Sequence, residues 1–275
     1  MMKTNRVGFV LKYVLLIVGV FVSLFPFYWA VIGATNESGK IFAKPPVLVP
    51  GDRFITNIVN LNEAIGIGRV MFNSVFIVVI YTTLSLIVCT MAGYAFAKFK
   101  FKGRSTLFSM FLLSMMVPYH AMLIPLFKMM AAWDWLNTYQ AVILPNLAYP
   151  FAIFLMRQNM LAIPDAIMEA GRIDGVGEWR LFTKIIIPSV KSSLAATAIF
   201  LFMYQWNNFL WPLIVLNTKE MYTLPVALSS LFGLSRIDYG QVMAGVTLAT
   251  GPIIVFFLML QRQFISGMLG TAVKE

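Results

Sequence analysis

Charge is scarce in this 275-residue chain: Asp, Glu, Lys and Arg make up only 12% of it, whereas 60% is hydrophobic and the mean hydropathy is +0.82. A soluble domain is apolar over about half its residues. This chain has too little polar surface to cover a water-soluble globule, so lipid is the simplest solvent for it. Cysteine is nearly missing. The one thiol, Cys89 in "LIVCTMAG", excludes an internal disulfide and reads as inert packing. His120 is the single histidine, which excludes a multi-histidine metal centre, and no metal site is expected. No G-x-x-x-x-G-K-[ST] phosphate loop occurs; "SGK" at Ser38 lacks the glycine spacing, so the chain is not expected to hydrolyse ATP itself. The long apolar runs also lack the Asp and Glu that proton or sodium relays use.

What is present is length in those runs. Crossing the hydrocarbon core takes roughly 20 apolar helical residues. Six stretches qualify: 13–35, 70–97, 105–127, 136–156, 192–216 and 239–261. The expected fold is all-α and polytopic, one transmembrane domain over 1–275 with a long loop at 157–191. The fourth stretch carries Asn137, Pro145, Asn146 and Pro150, and polar or broken helices are tolerated only against protein or a water-filled path, so it is placed inside the bundle. At the N-terminus, Lys3 and Arg6 before an apolar run resemble a signal peptide. That run is long and ends in bulky "FPFYW", so an uncleaved first helix is expected.

The net charge of +10 could indicate nucleic acid. At this hydropathy it reads instead as basic cytoplasmic loops beside membrane lipid, and no nucleic-acid partner is expected. With the N-terminus inside, the inner segments hold Lys3, Arg6, Lys12, Lys98, Lys100, Lys102, Arg104, Arg157, Arg172, Arg180, Lys184, Lys191, Arg262 and Lys274, two thirds of the 21 basic residues. Both termini and the loop 157–191 are therefore expected in the cytoplasm of a multi-pass cell-membrane protein.

That loop contains "EAGRIDGVGEWRLFTKIIIP", residues 169–188, where Glu169, Arg172, Asp174, Glu178, Arg180 and Lys184 crowd together. Pro164 and Asp165 suit the first turn of a helix, because a missing N–H is harmless there and a carboxylate meets the helix dipole. The helix runs through Ile167, Ala170 and Ile173, and Gly175 can end it in a left-handed conformation. A second helix after Gly177 puts Trp179, Phe182, Ile185 and Ile186 on one face and Arg180 and Lys184 on the other, until Pro188 breaks it. A DNA-reading helix–turn–helix is excluded because short connectors tie both ends to spanning helices. The second helix reads as a surface amphipath, with Trp179 at the interface and its cations at lipid phosphates. In the first, the small Ala170–Gly171 pair lets another backbone approach, and Glu169 beside it gives that contact direction.

These residues resemble the "EAA" loop of ABC importer permeases, E-A-A, three residues, G, nine residues, then I-x-L-P. Glu169, Ala170, Gly175, Ile185 and Pro188 match at the right spacings, while Gly171 replaces the second Ala and Ile187 the Leu. "MMVPYHAMLIPLFKMM", "WNNFLWPLIVL", "YTLPVALSSLFG" and "QRQFISGMLGTAVKE" extend the resemblance over nearly the whole chain, to the maltose-type branch of carbohydrate importer permeases. Asn208 stands where that branch commonly has Glu. The resemblance implies the ABC importer permease fold, a cytoplasmic coupling helix, and import of a sugar or oligosaccharide. It implies as partners a second permease chain of different sequence, two ATPase subunits carrying ATP and magnesium, and an external solute-binding protein. Asp165, Glu169, Ala170, Gly171, Arg172, Asp174 and Gly175 become the expected coupling residues. Glu169 has two readings, a bond to a basic residue of the ATPase or a pair with Arg172 in its own helix. The tail from Ile265 to Glu275 is expected to reach the ATPase subunits, and 36–69 and 217–240 to meet the binding protein.

For a translocation path the fifth stretch is the candidate. "MYQWNNFLWPL" sets Tyr204, Gln205, Trp206, Asn207, Asn208 and Trp211 within a few turns, and rings with amides suit a neutral, hydroxyl-rich solute. The other reading makes Trp206 and Trp211 an interfacial belt. Met115 and Tyr119 are expected at a gate or in packing, and His120 in hydrogen-bonded helix packing or along the path. Rival functions are a permease for amino acids or another small solute, a secondary transporter and an assembly scaffold. A secondary transporter calls for internal repeats and midplane charges, and neither is visible.

Overall fold

The computed structural model describes residues 6–233 and 237–272, with the backbone alone at 6–7 and 264–272. The tail expected to reach the ATPase subunits lies outside the described side chains. Every regular element among the described residues is helical, and we number the principal ones α1 Arg6–Thr35, α2 Phe54–Ile65, α3 Ile67–Lys98, α4 Arg104–Ser114, α5 Tyr119–Ala132, α6 Tyr139–Ile143, α7 Pro150–Leu161, α8 Asp165–Ile173, α9 Glu178–Leu181, α10 Lys191–Trp206, α11 Leu210–Val215, α12 Leu224–Ser230 and α13 Tyr239–Ala272.

Three helices are long and apolar enough to cross a membrane alone: Gly8–Thr35, Ile67–Lys98 and Tyr239–Gln263. Three more pairs pass only together and are bent, α4 with α5 by 99°, Tyr139–Asn146 with α7 by 44°, and Glu178–Ser189 with α10 by 81°. The expected span 105–127 is therefore two helices. Pro118 has no N–H to give, and it disfavours a helical backbone at Val117, so the chain turns sharply after Ser114. The expected span 192–216 is likewise interrupted. Its helix stops at Trp206 and resumes at Leu210, and the Asn207 amide folds back to donate to the Met203 carbonyl at 2.8 Å.

The chain divides into two compact units, 1–68 with 227–251 and 69–226 with 252–275. In the first unit, buried asparagines stitch backbone that has no helical partner. Asn57 Nδ2 donates to the carbonyls of Ala34 and Asn36 at 2.9 and 3.0 Å, and Asn36 Nδ2 donates to those of Ile32 and Val49. The bonds to Ala34, Asn36 and Ile32 stop buried carbonyls from going unsatisfied, and the one to Val49 ties down an exposed segment. Ser38 Oγ accepts from the Tyr239 N–H at 2.9 Å, and Phe42 meets the Tyr239 ring edge-on.

In the second unit two cores are distinct. The larger gathers Ile77, Tyr81, Phe108, Met130, Ala141, Ile153, Leu201 and Trp211; the smaller gathers Tyr94, Met156, Met168, Leu181, Phe182 and Ile186 beneath the charged loop. Trp211 is fully buried and its indole donates to the Ala141 carbonyl at 2.8 Å. Trp206 is buried too, stacked on Phe202. Neither ring can form the interfacial belt read from the sequence, because each is packed against protein.

Candidate functional site

The charged loop is built from the residue types its sequence announces. Pro164 caps α8 in an extended conformation, Asp165 occupies the first turn, and Gly175 takes φ +74° just past the end. The amides of Gly175 and Val176 close the helix by donating to the carbonyls of Arg172 and Gly171. From Glu178 one α-helical turn passes into a π-helical turn at Phe182–Ile186. Leu181, Phe182 and Ile186 are buried against protein, which the reading of a purely surface amphipath did not include, and Trp179 is 65% exposed. The reason lies in α8: a Cβ at Gly171 would overlap Leu181 Cδ2, so the bare glycine makes the room that Leu181 fills.

Of the coupling residues read from the sequence, Gly171 thus faces inward. Ala166, Glu169, Ala170 and Ile173 form an outward stripe, and Ile173 is 85% exposed. Arg172 does not pair with Glu169. Its Nε donates to Glu178 Oε1 at 2.6 Å, across the turn, which leaves Glu169 without a hydrogen bond or ion pair among the described residues. That bond holds the Glu178 carboxyl below its ordinary range and raises the Arg172 guanidinium. Asp165 is lowered first by a hydrogen bond from Lys98 and then by that ammonium's charge. Lys98, Phe99, Lys100, Asp165, Met168, Glu169 and Arg172 enclose a hollow of about 230 Å³. The sequence marked Lys98 only as a basic loop residue.

Two clefts lie among the expected path residues. One, of about 390 Å³, is lined in part by Met115, Tyr119, Asn146, Tyr149 and Tyr204. The other, of about 470 Å³ and wide open, is lined by Tyr119, His120, Met203, Tyr204, Asn207, Asn208, Phe209 and Leu210. Tyr119 and Tyr204 belong to both. The structure therefore brings together Met115, Tyr119, Tyr204, Asn207 and Asn208, but Gln205 is buried away from either cleft. His120 is exposed and makes no helix-packing hydrogen bond among the described residues; it only meets the Tyr119 ring edge-on. Tyr149 went unnoticed in the sequence, and Asn146 was marked only as part of the polar interruption in "LPNLAYP", not as a path residue. Tyr149 packs on Tyr204 with ring centroids 4.6 Å apart. Among the described residues, neither cleft is lined by Lys, Arg, Asp or Glu. Among the described residues no three His, Cys, Asp or Glu gather as metal ligands.

Comparison with known proteins gives a consistent outcome. The family profile described as binding-protein-dependent transport system inner membrane component matches residues 89–269. A lactose transport system permease protein of Rhizobium radiobacter is 39% identical over 267 residues, 97% of each chain. An arabinooligosaccharides transport system permease protein of Bacillus subtilis is 35% identical over 91% of this chain and 90% of its own. An sn-glycerol-3-phosphate transport system permease protein of Yersinia pestis is 32% identical over 98% and 99%. Among solved structures, a chain of a bacterial ABC transporter involved in the import of the acidic polysaccharide alginate superposes with a TM-score of 0.80. It covers 96% of this chain and 99% of that one at 21% identity, a likeness of fold.

Proposed function

This chain belongs to the family of binding-protein-dependent transport system inner membrane components, and from that premise we propose that it is the permease subunit of an ATP-driven importer of neutral carbohydrate. A second permease of different sequence would complete the translocation path. Two ATPase subunits, holding the ATP and magnesium, would dock on α8, and an external binding protein would deliver the solute. In this reading both termini and the loop 157–191 lie on the ATPase side, an orientation supported by the distribution of basic residues.

One observation carries the docking assignment: Glu169 stands outward and unpaired among the described residues, beside the small Ala170 and over a hollow large enough for a partner's side chain. A basic residue of the ATPase entering that hollow would gain a charge-assisted hydrogen bond. The choice of a neutral solute rests on the clefts. Their rings and amides suit sugar C–H faces and hydroxyls, and among the described residues no Lys or Arg lines them to favour a phosphate or carboxylate. Glu169→Lys tests the docking. The expected variant folds and inserts normally, and the complex still hydrolyses ATP, but uptake falls at least tenfold. Uptake at the wild-type rate would sink the assignment.

A further inference from the structure

Lys98 closes the 32-residue helix α3, and its side chain is only 3% exposed although it carries a charge. Its Nζ donates to Asp165 Oδ1 at 2.7 Å and to the Ile163 carbonyl at 2.5 Å, so it grips α8 at its first turn. One turn back along the same face of α3, Tyr94 donates to Glu178 Oε2 at 3.2 Å. Glu178 in turn accepts from Arg172, in the last turn of α8. A nine-residue helix is too short to hold itself in water. This one is held at both ends from a single face of α3, and its outer stripe stays free.

The same helix reaches the other parts of its unit. Tyr81 OH and Ser85 Oγ donate to the carbonyls of Asn146 and Leu147, in the segment that lines the smaller cleft. Farther along, Asn73 donates to the carbonyls of Glu220 and Tyr222, and Ser74 accepts from the Leu224 N–H. From Asn73 to Lys98 is about 38 Å at the helical rise. We infer that α3 is the rod that carries movement of α8 to the cleft, and that Lys98 is the positioning residue joining the two. The inference rests on the docking role proposed for α8.

The choice of an ion pair points the same way. Only the Lys98 end is buried, and an ion pair open to water on one side contributes little to stability, so this pair is better understood as fixing geometry than as holding the fold. Asp165 is 70% exposed and can return to water when its partner is removed. Lys98→Met should therefore assemble, whereas Asp165→Ala strands the ammonium and should be the less stable of the two.

The test uses the purified complex with its ATPase subunits in lipid nanodiscs. Val117→Cys, on the lining of the smaller cleft, reports by its maleimide labelling rate with and without ATP, magnesium and vanadate. Nucleotide should change the rate several-fold in the otherwise wild-type complex. In complexes that carry both ATPase subunits, adding Lys98→Met should shrink that change to less than twofold, and Lys98→Arg should restore it. A full change in the Lys98→Met complex overturns the inference. Should Lys98→Met not assemble, Tyr94→Phe, which removes one hydroxyl at the other grip, must still reduce the change, and a full response there overturns it equally. A complex with both ATPase subunits bound and no change even with Lys98 intact overturns this inference alone; failure of the docking reading shows instead as wild-type uptake by Glu169→Lys.

Discussion

Glu169 and Asp165 sit one helical turn apart and differ in their contacts: Glu169 has no hydrogen bond or ion pair among the described residues, and Asp165 accepts from Lys98. Asp165 titrates below the ordinary carboxylate value of about 4 because it accepts the Lys98 hydrogen bond and faces its charge. A depressed folded-state pKa contributes stability that is complete above the unfolded value and disappears as pH falls through the folded one. Glu178 is depressed likewise by Arg172. The grip on α8 should thus be constant from pH 5 to 8 and loosen only below about 4. Hydrogen–deuterium exchange of 165–173, corrected for the intrinsic pH effect, should show equal protection at pH 5.5 and 7.5; loosening near pH 5.5 would contradict this. Among the path residues, Tyr204 has the broadest role, since it lines both clefts and packs on Tyr149. Losing its ring contacts, worth about 1 kcal/mol, should lower uptake by Tyr204→Ala roughly threefold to tenfold with the ATPase rate retained. Equal loss of both activities would place Tyr204 in the fold instead.

Helix crossings decide how firmly the rod is seated. Where α3 passes α7, a Cβ on Gly93 would lie 2.7 Å from Met156 Cβ and 3.0 Å from the Arg157 nitrogen, neither of which is the free end of a side chain. Gly93→Val should cost about 1–3 kcal/mol through overpacking, seen as a lower melting temperature in detergent; an unchanged melting temperature would show that the crossing can open. Much at this scale is legible in the sequence. Pro164 and Gly175 bound α8 because each acts through local backbone chemistry, and the polar "LPNLAYP" marks an element that faces protein. Other features are not legible, for physical reasons. Lys98 and Asp165 are 67 residues apart, and no periodicity reports a partner that distant. The inward place of Leu181 rests on the room left by Gly171 in another helix, and neighbouring residues do not report it. Trp206 and Trp211 look in sequence like rings at a membrane interface, because burial by neighbouring helices leaves no local signature.

At the scale of the whole molecule, two things meet in one unit: a loop helix whose Glu169 makes no hydrogen bond or ion pair among the described residues, and clefts of aromatic and amide side chains that no described Lys, Arg, Asp or Glu lines. The helix α3 runs between them. Those features, with relatives that share nearly the whole length of the chain, make the account one of a transport subunit that depends on others for energy and for solute delivery. The most direct test is to tag this chain, purify it gently from its native membrane, and measure ATP hydrolysis while adding the co-expressed binding protein loaded with candidate sugars. The account predicts one second permease and two ATPase copies in the purified complex, with hydrolysis stimulated by a neutral sugar on its binding protein. A chain that stays alone even after crosslinking in intact membranes, or a complex stimulated only by an anionic solute, would contradict it.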